Sequence, residues 1–377
     1  MYYGNYNILV KIEQPNKIKF DPEKDPECHQ RNLNVSRGIY LIHEWWEDRG
    51  VKLNFDISDD HGYQINDLEE LRELTLELHH EVAPWQKVDD SMLIFGTGAT
   101  QILNAALFAV HAHKNAGKLK KQALYLTHQR PGYYEHILQA DLCHPGRYRW
   151  VDPEFIESVD LEYLLECVTS PNNPDGKIAK KMTNARYHLY DRVNHWDLFM
   201  HENFNDYMTE TLEDDLISVF SHSKILSFSG SRVGYAFVRD QEILKYMRFF
   251  VTYNTHGVCI DGQVRCAKAL EYLLRNQLFS EYTEWIQDKL EQRWKQFSHL
   301  IEQTEIKLLN SAGPAAWVKT PWNAQEYLSD NYNVFATYGP EYGATENYAR
   351  ISMLCSTNEF NELIWRITEK SAQLKAA

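Results

Sequence analysis

Residues 221–234 read SHSKILSFSGSRVG, and they place a single lysine, Lys224, in a loop of small residues. Ser221 stands three positions before it and Arg232 eight positions after it. Most lysines are solvated. One that is desolvated beside other cations has a lowered pKa and becomes a nucleophile toward aldehydes. Ser221 and Arg232 are suited to grip a phosphate, the arginine through its planar fork of donors. The loop follows the apolar run LISVF and leads into YAFV, so it caps a buried strand.

The same figure recurs upstream, where short apolar runs turn abruptly polar. SMLIF ends at GTGATQ, QALYLTH at RPGYYEH, LECVTSP at NNPDG, and WDLFM at HENFND. NDLEELRELTLELHHEV and ILNAALFAVHAH have helical spacing, and SRVGYAFV reads as a further strand. Strands alternating with helices predict an α/β fold with a mostly parallel sheet. In such a sheet ligands bind beyond the carboxyl ends of the strands, where these polar turns gather. From about residue 263 the chain turns helical, and AAWVKT and YARISML form a short α/β tail. Residues 1–55 read as polar and irregular. The expected division is an N-terminal segment 1–55, a large domain 56–262 and a smaller α+β domain 263–377.

Bulk properties narrow the class. A chain of 377 residues with 44% hydrophobic content has ample material for a core. A net charge of −14 argues against nucleic acid as a partner. The N-terminus lacks the pattern of a signal peptide, and no run is long enough to span a membrane. The six cysteines are scattered without a CxxC and read as reduced thiols of a cytoplasmic protein, with no metal site expected.

Two rim turns carry further chemistry. GTGATQ, residues 96–101, opens a helix with small residues, so that Gly98, Ala99 and Thr100 can meet an anion at the helix N-terminus. In TSPNNPDG, residues 169–176, two prolines flank an asparagine pair and hold an amide rigidly at the rim.

Taken together, IFGTGATQILNAA, SPNNPDG, SKILSFSGSRVGYAFV and YARISML resemble the fold type I pyridoxal-phosphate enzymes, in the alliinase and tryptophan-aminotransferase-related branch. The resemblance covers roughly residues 68–355. It implies a three-layer large domain, a homodimer with active sites at the subunit interface, and a free amino acid as substrate. It further implies that Lys224 bonds the cofactor's aldehyde, while Ser221, Arg232, Gly98, Ala99 and Thr100 hold its phosphate. Tyr133 would stack on the pyridine ring, with Tyr134 as the alternative, and Asn173 would reach the ring's phenolic oxygen. Arg350 would clamp the substrate carboxylate, and Tyr63 would reach the partner subunit's phosphate.

The family also sets an aspartate beside the pyridine nitrogen, with a tyrosine three residues on. Reading MHENFNDY for these positions places Glu202 at the acid and Asn205 at the tyrosine; the other register places His201 and Phe204 there. Glu202 is preferred because a carboxylate keeps the ring nitrogen protonated. In either register the phenol is missing, which with the alliinase resemblance tilts the expected reaction toward elimination rather than transamination. Asp56, Asp59 and Asp60 read either as a solvated acidic loop or, since the resemblance puts this region near the active-site mouth, as carboxylates for a cationic side chain, such as that of a hydroxylated arginine that is dehydrated and cyclised. A non-catalytic binding protein is the contrasting reading, and the presence of Lys224, Arg232 and Arg350 together argues against it.

Overall fold

The computed structural model of the protein describes residues 20–22, 32–36, 39–52, 67–132, 144–196, 199 and 216–376. In chain order the elements begin with β1 (Leu33–Asn34), α1 (Tyr40–Asp48), α2 (Glu69–Val82), β2 (Leu93–Thr97) and α3 (Gly98–Lys114). There follow β3 (Leu124–His128), β4 (Tyr148–Trp150), β5 (Leu164–Thr169), β6 (Tyr187–Asp191), β7 (Ile217–Ser221), the single-turn α4 (His222–Ile225) and β8 (Val233–Val238). Three helices come next: α5 (Gln241–Thr255), α6 (Ile260–Arg275) and α7 (Phe279–Ile301). The remainder comprises β9 (Lys307–Leu308), β10 (Ala315–Lys319), α8 (Ala324–Tyr332), β11 (Val334–Phe335), β12 (Thr337–Tyr338), β13 (Tyr348–Ser352) and α9 (Thr357–Ala376).

Among the described residues, seven strands make the large sheet, in the order β2-β8-β7-β6-β5-β3-β4. The pairings from β7 through β4 are parallel, and β8 pairs antiparallel with both β7 and β2. Strand β8 therefore runs against the other six. Its amino end lies on the same edge as the carboxyl ends of β2, β3, β5, β6 and β7. Successive residues feed opposite faces, as strand geometry requires. Val219 and Ala236 join the apolar cluster around α3 and α5. Phe220 and Tyr235 join the one that reaches α1, α2, α6 and α7. With helices on both faces the architecture is three-layered. A second, antiparallel sheet has the order β12-β13-β10-β9, and β1 pairs in parallel with β11 beside it.

The helices and strands expected between residues 67 and 128 form as read, as do β5, β7, β8, β10 and β13. Two expectations need correction. The stretch read as irregular contains α1, whose Leu41, Ile42, Trp45 and Trp46 are buried in the core. Their spacing puts them on one helical face. The strand between β5 and β7 in the sheet is YHLYD, not WDLFMHENF, since Trp196 is at a bend and Phe199 is in helical conformation. A histidine and an aspartate disguise YHLYD. Yet His188 lies opposite Glu166 of β5, with Nε2 3.4 Å from its carboxylate. Among the described residues no helix is long and apolar enough to cross a membrane.

Candidate active site

The shared edge of the large sheet assembles the site from strand ends. Register pairs Ser221 with Gly234 and Thr97 with Val233, so the ends of β7 and β2 flank the start of β8. This close approach depends on glycine. A Cβ on Gly234 would lie 2.3 Å from the Ala99 nitrogen, so β8 packs directly against the first turn of α3. Gly98 has φ +72°, and a Cβ there would meet the Arg232 guanidinium at 2.2 Å. Arg232 thus lies over the N-terminus of α3, held by Nη1 donating to the Ser229 carbonyl at 3.1 Å. The N-cap Thr97 provides no side-chain cap, and a helix N-terminus joined by a guanidinium is a natural anion cradle. Ser221 is buried at its edge, and the buried Ser223 hydroxyl has no partner among the described residues.

Lys224, on α4, is half-buried. Burial first, and then the positive charge of Arg350, push its pKa down to about 8, while Asp191 pulls the other way. Arg350 comes from β13 of the second sheet, opposite Trp317 of β10 and Thr337 of β12. Its Nη1 donates to the Ser36 carbonyl at 3.2 Å, and its buried Nε has no partner among the described residues.

The two asparagines of SPNNPDG have separate fates. Asn172 is committed to the turn, donating from Nδ2 to the Asp175 carboxylate at 2.7 Å and to the Pro131 carbonyl at 3.0 Å. Asn173 makes no such bond among the described residues and is half-buried. The Pro131 loop is also tied to the second sheet, since the Gly132 N–H donates to the Tyr342 carbonyl at 2.9 Å.

Sequence reasoning did not single out Asp191. It ends β6 on the same edge, is buried, and acts electrostatically on Lys224. Its Oδ1 accepts the Val193 N–H at 3.0 Å. A signal was available, because Asp191 is followed three residues on by Asn194, the same acid and amide spacing as Glu202 and Asn205. Glu202, Asn205, His201, Phe204, Tyr63, Tyr133, Tyr134, Asp56, Asp59 and Asp60 lie outside the described residues.

A lysine of lowered pKa and an anion cradle, on the carboxyl edge of a three-layer α/β fold, fit a fold type I pyridoxal-phosphate enzyme. The cradle that a Cβ would fill and the lowered Lys224 pKa both fit that cofactor. The family model described as allinase matches residues 55–371, and the chain belongs to that family. Tryptophan aminotransferase-related protein 2 of Arabidopsis thaliana is 28% identical over 380 residues, covering 92% of this chain and 83% of the relative. Alliin lyase 1 of Allium sativum is 23% identical, covering 91% and 77%. Among solved structures, aspartate aminotransferase from Thermotoga maritima aligns with a TM-score of 0.67 at 17% identity, over 94% of this chain and 96% of that one. An aromatic aminotransferase from Pyrococcus horikoshii aligns with 0.67 at 18% identity, over 92% and 97%. The fold is shared with these aminotransferases. The protein is a pyridoxal-phosphate-dependent enzyme of the lyase or aminotransferase type.

Proposed function

We propose that the protein acts on a free L-amino acid by removing its α-proton with Lys224, and that elimination follows. The observation that carries this reading is an amine at the end of β7 whose pKa is pushed down to about 8 by burial and by Arg350, with Asp191 acting against them. When bound, pyridoxal phosphate supplies the electron sink that makes the Cα–H acidic. Gly98, Ala99, Thr100, Ser221 and Arg232 hold the phosphate. Asn173 offers its uncommitted amide to the ring oxygen. Arg350 takes the substrate carboxylate through its guanidinium fork. Asp191 is our choice, in place of Glu202, for the acid that keeps the ring nitrogen protonated. With Asp191 in that role, Asn194 stands where the family has its tyrosine.

An amide donates more weakly than a phenol and cannot move a proton. Proton transfer at Cα therefore falls to Lys224 as general base. The electron pair left at Cα would expel a substituent from Cβ; loss of a Cγ substituent would instead need a second deprotonation, at Cβ, whose electron pair expels it. A substrate with a cationic side chain, such as a hydroxylated arginine, is the class that the acidic residues Asp56, Asp59 and Asp60 support in the sequence. The relatives named alliin lyase support elimination. The relative named as tryptophan aminotransferase-related supports a second reading, transamination with a 2-oxo acid.

A homodimer belongs to this reading. Phe249 and Tyr253 on α5 are 51% and 73% exposed, beside a turn of α3 held by Gln101 Nε2 donating to Thr255 at 3.0 Å. A second copy would cover them. A cytoplasmic location is proposed with it. The test offers a panel of amino acids, basic ones included, in deuterated water, with and without a 2-oxo acid. Turnover without the acceptor and label at Cβ are expected; turnover that requires the acceptor overturns elimination in favour of transamination.

A further inference from the structure

Behind the turn that follows Asp191, a chain of hydrogen bonds runs through the core. Tyr235 Oη lies 2.8 Å from His79 Nε2, His79 Nδ1 lies 2.6 Å from Gln86 Oε1, and Gln86 Nε2 lies 2.5 Å from His195 Nε2. None of the four side chains is more than 2% exposed. They come from four places in the chain: β8, α2, the 84–86 turn and the loop after β6. Phe220 stands edge-on to both imidazoles, with centroids 4.9 and 5.5 Å away, and Trp196 lies 5.3 and 5.9 Å from them.

The chain has a direction. An amide oxygen only accepts, so His79 carries its proton on Nδ1 and its Nε2 accepts from the Tyr235 hydroxyl. An amide nitrogen only donates, so His195 Nε2 is a lone pair and the ring's proton sits on Nδ1. Burial, which pushes the His79 pKa down to about 4, keeps that ring neutral. His195 is in turn the far end of a tight turn. Its N–H donates to the Arg192 carbonyl at 3.0 Å, and the Arg192 N–H donates to the Val219 carbonyl at 2.8 Å. With the Val193 N–H on the Asp191 carboxylate, the turn is gripped at both ends.

We infer that Gln86 and His195 are positioning residues: the directed relay holds His195 as the Nδ1-protonated tautomer and thereby fixes the 191–194 turn that presents Asp191 and Asn194 to the cofactor. This rests on the proposed role of Asp191. The test uses the full-length chain loaded with pyridoxal phosphate and labelled with 15N in its histidine rings, with His195 signals assigned by their loss in His195→Gln. The expected spectrum shows His195 neutral, protonated on Nδ1 and bare on Nε2, from pH 6 to 8. A proton on Nε2 overturns the relay's direction. In Gln86→Leu, the pH midpoint of the visible cofactor band is expected to shift by about half a unit or more. A fall in kcat of roughly tenfold should accompany it, with KM within about twofold. A lower melting temperature alone, with midpoint and kcat unchanged, overturns the positioning role. Gln86→Glu keeps the size but accepts from both rings, so the same shift is expected there, and wild-type behaviour overturns the inference. If the unaltered chain binds no pyridoxal phosphate, the proposed function fails, while the ring spectrum still decides the relay.

Discussion

Lys224 is the proposed general base, and its environment is specific. Burial lowers its pKa first, Arg350 lowers it further, and Asp191 restrains the fall, leaving it at about 8. Lys224→Ala should therefore lose α-proton exchange by roughly 10²–10⁴-fold, the usual weight of a general base. It should also lose the visible band that borohydride bleaches in the parent protein, and a spectrum before and after reduction checks this. Arg350 keeps a buried Nε without a partner among the described residues while Nη1 is spent on Ser36. Lysine cannot reproduce a two-pronged grip. Arg350→Lys should raise KM for the amino acid about tenfold or more, consistent with the roughly 1.5–3 kcal/mol of a hydrogen bond to a charged group. Initial-rate kinetics on the best substrate of the panel would show it, and an unchanged KM would remove Arg350 from the carboxylate site.

At the scale of elements, the first turn of α3, the end of β7 and the start of β8 form one cradle, which bars a Cβ at Gly234 by backbone contact and strains one at Gly98 by its positive φ. Gly98→Ala both adds a methyl against Arg232 and places alanine at a positive φ. Cofactor retention should fall at least about tenfold, measured by dialysis and recovery of the visible band, with the secondary structure kept. Much of this cradle was legible, because glycine, serine and arginine at those spacings have few other uses together. The YHLYD strand was not, since its polar residues are buried through pairing with a neighbouring strand, as His188 is with Glu166, and such pairing is invisible to hydropathy. The proposed acid, Asp191, ends that strand, eleven residues upstream of Glu202. The α1 helix was missed for a different reason: its tryptophans are flanked by the charges of Glu44, Glu47 and Asp48, which mask the apolar face.

For the whole molecule, the core beneath the site is rich in neutral histidine. Burial depresses the pKa of His79 to about 4 and of His222 to about 3, and each repels a charge on a neighbouring histidine. The unfolded chain would bind protons at these positions near the ordinary 6.5, so it holds more protons than the native state between that value and about 4. Stability is therefore full above pH 6.5 and declines as the pH falls, by on the order of 1–2 kcal/mol per histidine at pH 5. Urea midpoints at pH 7.5 and pH 5 should differ accordingly, and His222→Phe should reduce the difference; equal midpoints would contradict the assignment.

The reversal of β8 has a consequence for how such a protein can change over generations. Because that strand runs back along β7, the lysine proposed to bond the cofactor and the arginine proposed to anchor its phosphate share one short covalent loop of fourteen residues, 221–234. Recombination or a transplanted segment carries both cations together or neither. Arg350, Asp191 and the Asn173 turn arrive on separate stretches of chain. Lineages are thus free to trade what the site recognises and how protons move within it, while these two cations are inherited as a pair, apart from the Gly98–Thr100 turn on its own stretch of chain.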